Sequence, residues 1–270
     1  MTSPTTPPVV LCISGHDPSG GAGLHADIES VAAQGAHALG VITALTTQDT
    51  GNVHRVKPVA PTLMAEQLDL LLADCRVDAI KIGLVGDADQ VAVICSAIER
   101  CAVPVVLDPV LRAGGGNPLA GAATVQALLE QLLPLATVAT PNAAEARRLA
   151  PGAADAAGCA ADILRRGCRN LLITGGDEPT ADVVNGWYRP DAPPQLYRWP
   201  RLPGGFHGAG CTLAAALAAR LALGEDMATA LQQAQAYVHG CLERALSIGH
   251  GRRIPNRLPN RQWGGVGGRT

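Results

Sequence analysis

Aromatic side chains are scarce: three Trp, three Tyr and one Phe in 270 residues. A core without them must be filled by Ala, Val and Leu, with helices lying close against whatever they cover. There is no excess of charge either, because 21 Lys and Arg face 23 Asp and Glu for a net −2. That balance excludes a general pull toward nucleic acid or an anionic membrane and leaves room only for local anion contacts. No apolar run reaches the roughly 18 residues of a membrane span; the longest, after Cys211, is cut by Arg220. Met1 to Pro8 has neither the basic nor the apolar region of a secretory signal. The eight cysteines contain no Cys-x-x-Cys pair and fit a reducing cytoplasm.

With 47% hydrophobic residues the chain is too apolar for disorder. Its 31 glycines and 20 prolines stay below the share typical of low-complexity sequence. The expected organisation is one folded domain over residues 9–257, a flexible 1–8 and a disordered tail over 258–270. The arginine- and glycine-rich stretch from Gly249 offers little apolar surface to offset its ordering entropy.

Short apolar runs recur at Val9 to Ser14, Val103 to Leu107, Thr137 to Thr140 and Asn170 to Thr174. Each is followed by an Ala- and Leu-rich segment with helical spacing, an alternation that predicts βαβ units. Helices are expected near 22–34, 61–74, 87–100, 118–133, 143–149, 153–167, 209–223 and 226–247. Strands apolar on both faces need helices on both sides. The expected fold is therefore α/β, a three-layer αβα sandwich around a mostly parallel, doubly wound sheet.

Four segments carry chemistry. Ser14-Gly-His-Asp-Pro-Ser-Gly-Gly-Ala-Gly23 lies between the first strand and the first helix, where a parallel sheet places its ligands; a tight turn without a ligand is the plainer possibility. It lacks both the dinucleotide glycine pattern and the Walker lysine. His207-Gly-Ala-Gly-Cys-Thr212 opens a helix. There Gly208, Ala209 and Gly210 would offer successive amides to a migrating phosphoryl group. Cys211 in the same positive field is expected to have a lowered thiol pKa and to act as a base, unless it merely packs the helix start. Asn142 and Glu145 form either a capping box or a site for a hydrated cation or phosphates, and the two are compatible. Asp108 ends a strand as a metal or phosphate organiser or as a helix cap.

In this order the stretches Ser14 to Asp27, Val41 to Leu45, Lys81 to Leu84, Val106 to Val110, Thr140 to Asn142 with Glu145, and His207 to Thr212 resemble the hydroxymethylpyrimidine/phosphomethylpyrimidine kinase family, a ribokinase-like branch, over residues 9 to about 257. The resemblance implies ATP-dependent phosphorylation of 4-amino-5-hydroxymethyl-2-methylpyrimidine and then of its monophosphate, in thiamine biosynthesis. It implies a pyrimidine under the first loop near Gly15, Asp17, Ala22 and Asp27, with Gln48 on the ring edge and Leu84 and Val110 as apolar walls. Gly208, Ala209 and Gly210 would form the anion hole and Cys211 the base. Asp108 and Glu145 would organise Mg2+, and Asn142, Glu145, Thr174 and Gly176 would lie by the nucleotide. Relatives commonly form homodimers.

Two positions depart from that pattern. Thr174 stands where family members commonly carry a lysine, so the cation at the ATP phosphates would come from magnesium, from Arg198 or Arg201, or be missing. Ala209 replaces a threonine yet keeps the backbone amide. A pyridoxal kinase of similar build and a catalytically weak pyrimidine-binding sensor are the competing readings. Lys81 either approaches the phosphates or forms a structural pair, and His16 is expected to hydrogen-bond at the loop.

Overall fold

The computed structural model describes residues 6–112, 116 and 119–258. Nine strands form one sheet in the order β3-β2-β1-β4-β5-β6-β7-β8-β9. They are β1 (Val9–His16), β2 (His37–Gln48), β3 (Val53–Pro58), β4 (Ala79–Ile82), β5 (Val105–Leu107), β6 (Val138–Ala139), β7 (Leu171–Ile173), β8 (Asp182–Arg189) and β9 (Ala192–Pro200). The six strands from β2 to β7 in that order are mutually parallel, while β3, β8 and β9 add antiparallel edges.

Strand side chains alternate between two cores, because successive Cβ atoms point to opposite faces. Leu11, Ile13, Ile80, Ile82 and Leu107 pack under α2 (Pro61–Asp74), α3 (Asp89–Cys101), α4 (Ala122–Ala127), α5 (Ala143–Leu149) and α6 (Ala156–Leu164). Val10, Cys12, Ala79, Val106 and Leu172 pack under α1 (Gly23–Ala33), α7 (Ala209–Ala222) and α8 (Met227–Glu243). The run of buried alanines 214, 215, 216, 218 and 219 lets α7 lie close on the sheet. Small side chains thus replace the missing aromatics.

The sheet departs from the apolar-run pattern where strands are polar or short. β2 and β3 carry Thr, Gln, His and Lys, because many of their residues near this edge of the sheet are exposed or only half-buried. The β8–β9 hairpin contains Pro193 and Pro194, which an edge strand tolerates. The helix expected from 118 begins at Ala122 and passes into a π turn at Leu128–Leu132 and a 3-10 turn at Leu133–Leu135 that holds Pro134; Pro118 lies outside the described residues. Expected tail disorder falls on residues that also lie outside them, apart from Leu258, as do residues 1–5 of the N-terminal stretch. The segment from Gly249 to Arg257 is tied down mostly by polar contacts. Leu246 pairs with Ile254 and Phe206 with Arg253, and the Asn256 amide donates to the Cys241 carbonyl.

Candidate active site

The carboxyl ends of β1, β4, β5, β6 and β7 open on one cleft with a cavity of about 490 Å³, a size suited to a small molecule or cofactor. Two helix N-termini converge on it. Helix α7 begins at Gly208, whose φ of +89° is a left-handed conformation, and a Cβ there would collide with the Gly21 carbonyl oxygen. Glycine is therefore required both by conformation and by backbone-to-backbone approach. Helix α1 begins at Ala22. Neither has a side-chain cap, whereas α5, α6 and α8 are capped by Asn142, Asp155 and Asp226. The uncapped α7 N-terminus leaves amide donors for an anion.

Asp17 organises the glycine loop. Its Oδ1 accepts hydrogen bonds from the Ser19 amide and hydroxyl, both at 2.8 Å, and its Oδ2 accepts from the Ala22 amide at 2.8 Å and from His207 Nε2 at 2.7 Å. Burial pushes this carboxyl up, but the bonds from His207 and Ser19 outweigh it and hold the pKa below the ordinary value. Asp17 lines the cleft with both oxygens engaged, so what it does in this structure is hold the loop. Gln48 Nε2 lies 2.8 Å from His207 Nε2 and its Oε1 lies 3.1 Å from the Thr46 hydroxyl oxygen.

Expected site residues Gly15, Asp17, Ala22, Gln48, Leu84, Asp108, Val110, Asn142, Glu145, Thr174, Gly176, Gly208, Ala209, Gly210 and Cys211 all line this cleft. Asp27 does not. It lies fully buried beneath the loop, accepting from the Ser14 hydroxyl at 2.6 Å and paired with the equally buried Lys81 at 2.8 Å. Lys81 forms this pair and also lines the cleft; burial lowers its pKa, but Asp27 and other negative groups raise it above the ordinary lysine range. Losing one member of such a pair strands a buried charge.

Two carboxyls also line the cleft. Burial raises Asp108 to about 6, against the opposing pull of Lys81. Burial and the charge of Asp108 raise Glu145 to about 8. Glu145 accepts from the Leu111 amide at 3.2 Å and the Asn142 amide at 3.0 Å, while Asn142 Oδ1 accepts from the Glu145 amide. The capping box is thus present, and its Glu145 also faces the cleft. Asp108 Oδ2 is buried with no hydrogen-bond partner. Two buried carboxyls lining one cleft, one with an orphaned oxygen, fit a hydrated magnesium ion, which binds through one or two carboxylates and substrate phosphates while keeping several waters.

The softened thiol expected at Cys211 is not found. Burial pushes it up to about 12; Lys81 pulls it down, Asp108 and Asp27 oppose that pull, and the Gly23 amide donating to the sulfur lowers it only in part. Desolvation disfavours the thiolate more than the helix end favours it. Of the two arginines proposed to replace the missing lysine, Arg198 is exposed on β9 and off the cleft. Arg201 lines the cleft, yet its guanidinium is committed to carbonyls of Gly175, Gly176, Glu178 and Thr180. It brings positive charge to the loop after β7, with most of its donors taken by that loop's carbonyls. His16 lines the cleft and its carbonyl accepts from the Thr46 hydroxyl.

Sequence reasoning passed over His207 as a single residue, although it spans the two loops. The signal was its place in a glycine-flanked turn; what it touches is set by contact with Asp17, far away in the chain.

Parallel strand ends that gather the open α7 N-terminus, two carboxyls and a thiol at one cleft suit phosphoryl transfer, as in ribokinase-like phosphotransferases. Residues 17–256 match the phosphomethylpyrimidine kinase family. A hydroxymethylpyrimidine/phosphomethylpyrimidine kinase from Rhizobium meliloti is 38% identical over 257 residues, covering 90% of this chain and 94% of the relative. Pyridoxal kinase from Staphylococcus aureus, solved with ADP and with pyridoxal, superposes with a TM-score of 0.86 at 27% identity, covering 95% of this chain and 96% of that one. The phosphomethylpyrimidine kinase structure from Clostridium difficile gives a TM-score of 0.74 at 28% identity over 86% and 97%. The chain belongs to the phosphomethylpyrimidine kinase family.

Proposed function

We propose that the protein transfers the γ-phosphoryl group of ATP to the hydroxymethyl oxygen of 4-amino-5-hydroxymethyl-2-methylpyrimidine, and then to the monophosphate so formed, yielding the diphosphate used in thiamine biosynthesis. The observation that carries this is the meeting of the bare α7 N-terminus, with Cys211 in its first turn, and the glycine loop at one cleft. Phosphoryl transfer asks a protein mainly for positioning and charge stabilisation, and the amides of Gly208, Ala209 and Gly210 supply the second.

The pyrimidine lies beneath the loop of Gly15, Asp17 and Ala22, between Leu84 and Val110, with Gln48 at its edge. The hydroxyl oxygen forms its bond to the γ-phosphorus as the bond to the β-bridging oxygen breaks, and ADP leaves. Cys211 accepts the hydroxyl proton. That proton is lost late in a loose transition state, and taking it up requires the thiolate, so bound substrates must lower the thiol pKa from the value it holds in the free protein. Asn142, Thr174 and Gly176 border the nucleotide phosphates. Asp108 and Glu145 would hold magnesium, which supplies positive charge to the phosphate oxygens and to the two carboxylates.

Pyridoxal kinase is the second reading, favoured by the higher TM-score of that neighbour. The greater identity to the pyrimidine kinase over nearly the whole chain weighs the other way. Mass spectrometry after incubation with ATP, magnesium and both alcohols separates them: pyrimidine mono- and diphosphate are expected, pyridoxal phosphate alone would select the other enzyme, and no phosphorylated product would leave a binding protein. No helix among the described residues is long and apolar enough to cross a membrane, and the setting proposed is cytoplasmic. A homodimer is proposed as well, with exposed Leu45, Leu63 and Leu70 as apolar surface it would cover; sedimentation velocity tests it, a monomer overturning it.

A further inference from the structure

Arg257 is the largest fully buried side chain among the described residues, with 2% of its surface exposed. It lies one residue beyond the stretch matched to the family and does not line the cleft. Its Nη1 donates to the Gly20 carbonyl at 3.2 Å and its Nη2 donates to the Gly21 carbonyl. Its Nε donates to the Thr212 hydroxyl at 2.9 Å, which in turn donates to the carbonyl of Gly208 at 2.8 Å. The remaining partner, Glu29, is 3.2 Å from Nη1 and partly exposed. The segment is itself anchored, since the Tyr237 hydroxyl donates to the Arg257 carbonyl at 2.9 Å.

These contacts sort into two groups. Gly20 and Gly21 belong to the loop over the proposed alcohol site, and Thr212 and Gly208 belong to the first turn of α7. A buried charge is a poor means of gaining stability, because apolar packing of similar volume does as well without the desolvation cost. A guanidinium offers several donors in a fixed planar fork, so one side chain can fix separate acceptors at once. Lysine, a single point of charge, cannot reproduce that geometry.

Resting on the kinase reading above, we propose that Arg257 is a positioning residue for phosphoryl transfer: its guanidinium clamps the glycine loop to the start of α7 and so fixes the distance between bound alcohol and migrating phosphoryl group. Misplacement by about 1 Å in such a reaction costs on the order of a hundredfold in rate.

The test combines Arg257→Lys, Arg257→Ala and Thr212→Val in the full chain, with steady-state kinetics and amide hydrogen exchange. For Arg257→Lys, kcat should fall on the order of a hundredfold and the KM for the alcohol should rise, while the KM for ATP stays within about twofold. Added guanidinium should restore part of kcat to Arg257→Ala. Amides of 20–23 and 207–212 should lose protection together in Arg257→Lys, with 37–48 unchanged. Thr212→Val should show the same pattern more weakly. Wild-type kcat in Arg257→Lys, or activity lost only in step with the unfolded fraction and not rescued by guanidinium, overturns the clamp. If the wild type phosphorylates neither alcohol, the kinase reading fails by itself. The exchange result then decides the clamp alone: joint loosening of both segments supports it, and loosening confined to the C-terminal segment refutes it.

Discussion

His207 Nε2 sits 2.7 Å from Asp17 Oδ2, joining residues 190 apart in sequence. Both are nearly buried, and the bond ties the glycine loop directly to the residue before the α7 N-cap. His207→Phe removes the donor and leaves a buried carboxylate oxygen short of one partner, at a cost of about 1–3 kcal/mol. Urea denaturation should register that loss, and kcat should drop because the loop no longer seats on the anion hole. Unchanged stability together with unchanged kcat would show that the bond fixes nothing.

Asp108 makes stability depend on pH in a stated direction. Its carboxyl stands at about 6 in the folded protein against an ordinary 3.8, chiefly through burial. Between those values the native state holds a proton that the unfolded chain has lost, so stability falls as pH rises and the cost is complete above about 6. Asp108→Asn escapes that cost. Without ligands it should be more stable than wild type by roughly 1–3 kcal/mol at pH 8, with the difference shrinking toward pH 4, while kcat falls. Urea midpoints at the two pH values check it; an advantage equal at both would refute the assignment.

Cys211 should behave as a hindered thiol in the free protein, since it is held at about 12 chiefly by burial. Its alkylation by iodoacetamide, followed by peptide mass spectrometry, should be slow at pH 7 and accelerate with each step in pH. Cys211→Ala should lower kcat by about two to four orders of magnitude, the scale of a lost general base, with folding little changed. Turnover at the wild-type rate would remove the thiol from the mechanism.

Gln48 lies on the cleft wall within reach of Thr46 and His207. Gln48→Leu should weaken binding of the pyrimidine far more than that of ATP, because it strands polar ring atoms against an apolar side chain. Calorimetric titrations of each ligand decide this, and equal losses for the two would show that the pocket has been assigned to the wrong place.

Much of the fold can be read along the chain. Apolar runs such as Val9 to Ser14 followed by Ala-rich helices specify βαβ units, since both periodicities arise from neighbouring residues. The glycine loops and the Asn142–Glu145 box are equally local, and they fall where the sheet's strand ends converge. The edge strands are harder to read, because a half-exposed strand such as β3 loses the apolar signature that marks β1.

Sequence by itself determined the layers, the order of the segments around the cleft and the amides that end there, all consequences of local spacing and backbone chemistry. Tertiary structure alone decided the charges. It paired Asp27 with Lys81 beneath the loop, brought two carboxyls close enough that the charge of Asp108 raises Glu145, and desolvated the half-buried Cys211 so that its thiol is protonated in the free protein. It also carried Arg257 from an apolar-poor C-terminal stretch to Gly20 and Gly21. Desolvation and Coulomb forces act through space between groups that the chain separates by tens to hundreds of residues, so no local pattern of residues encodes them.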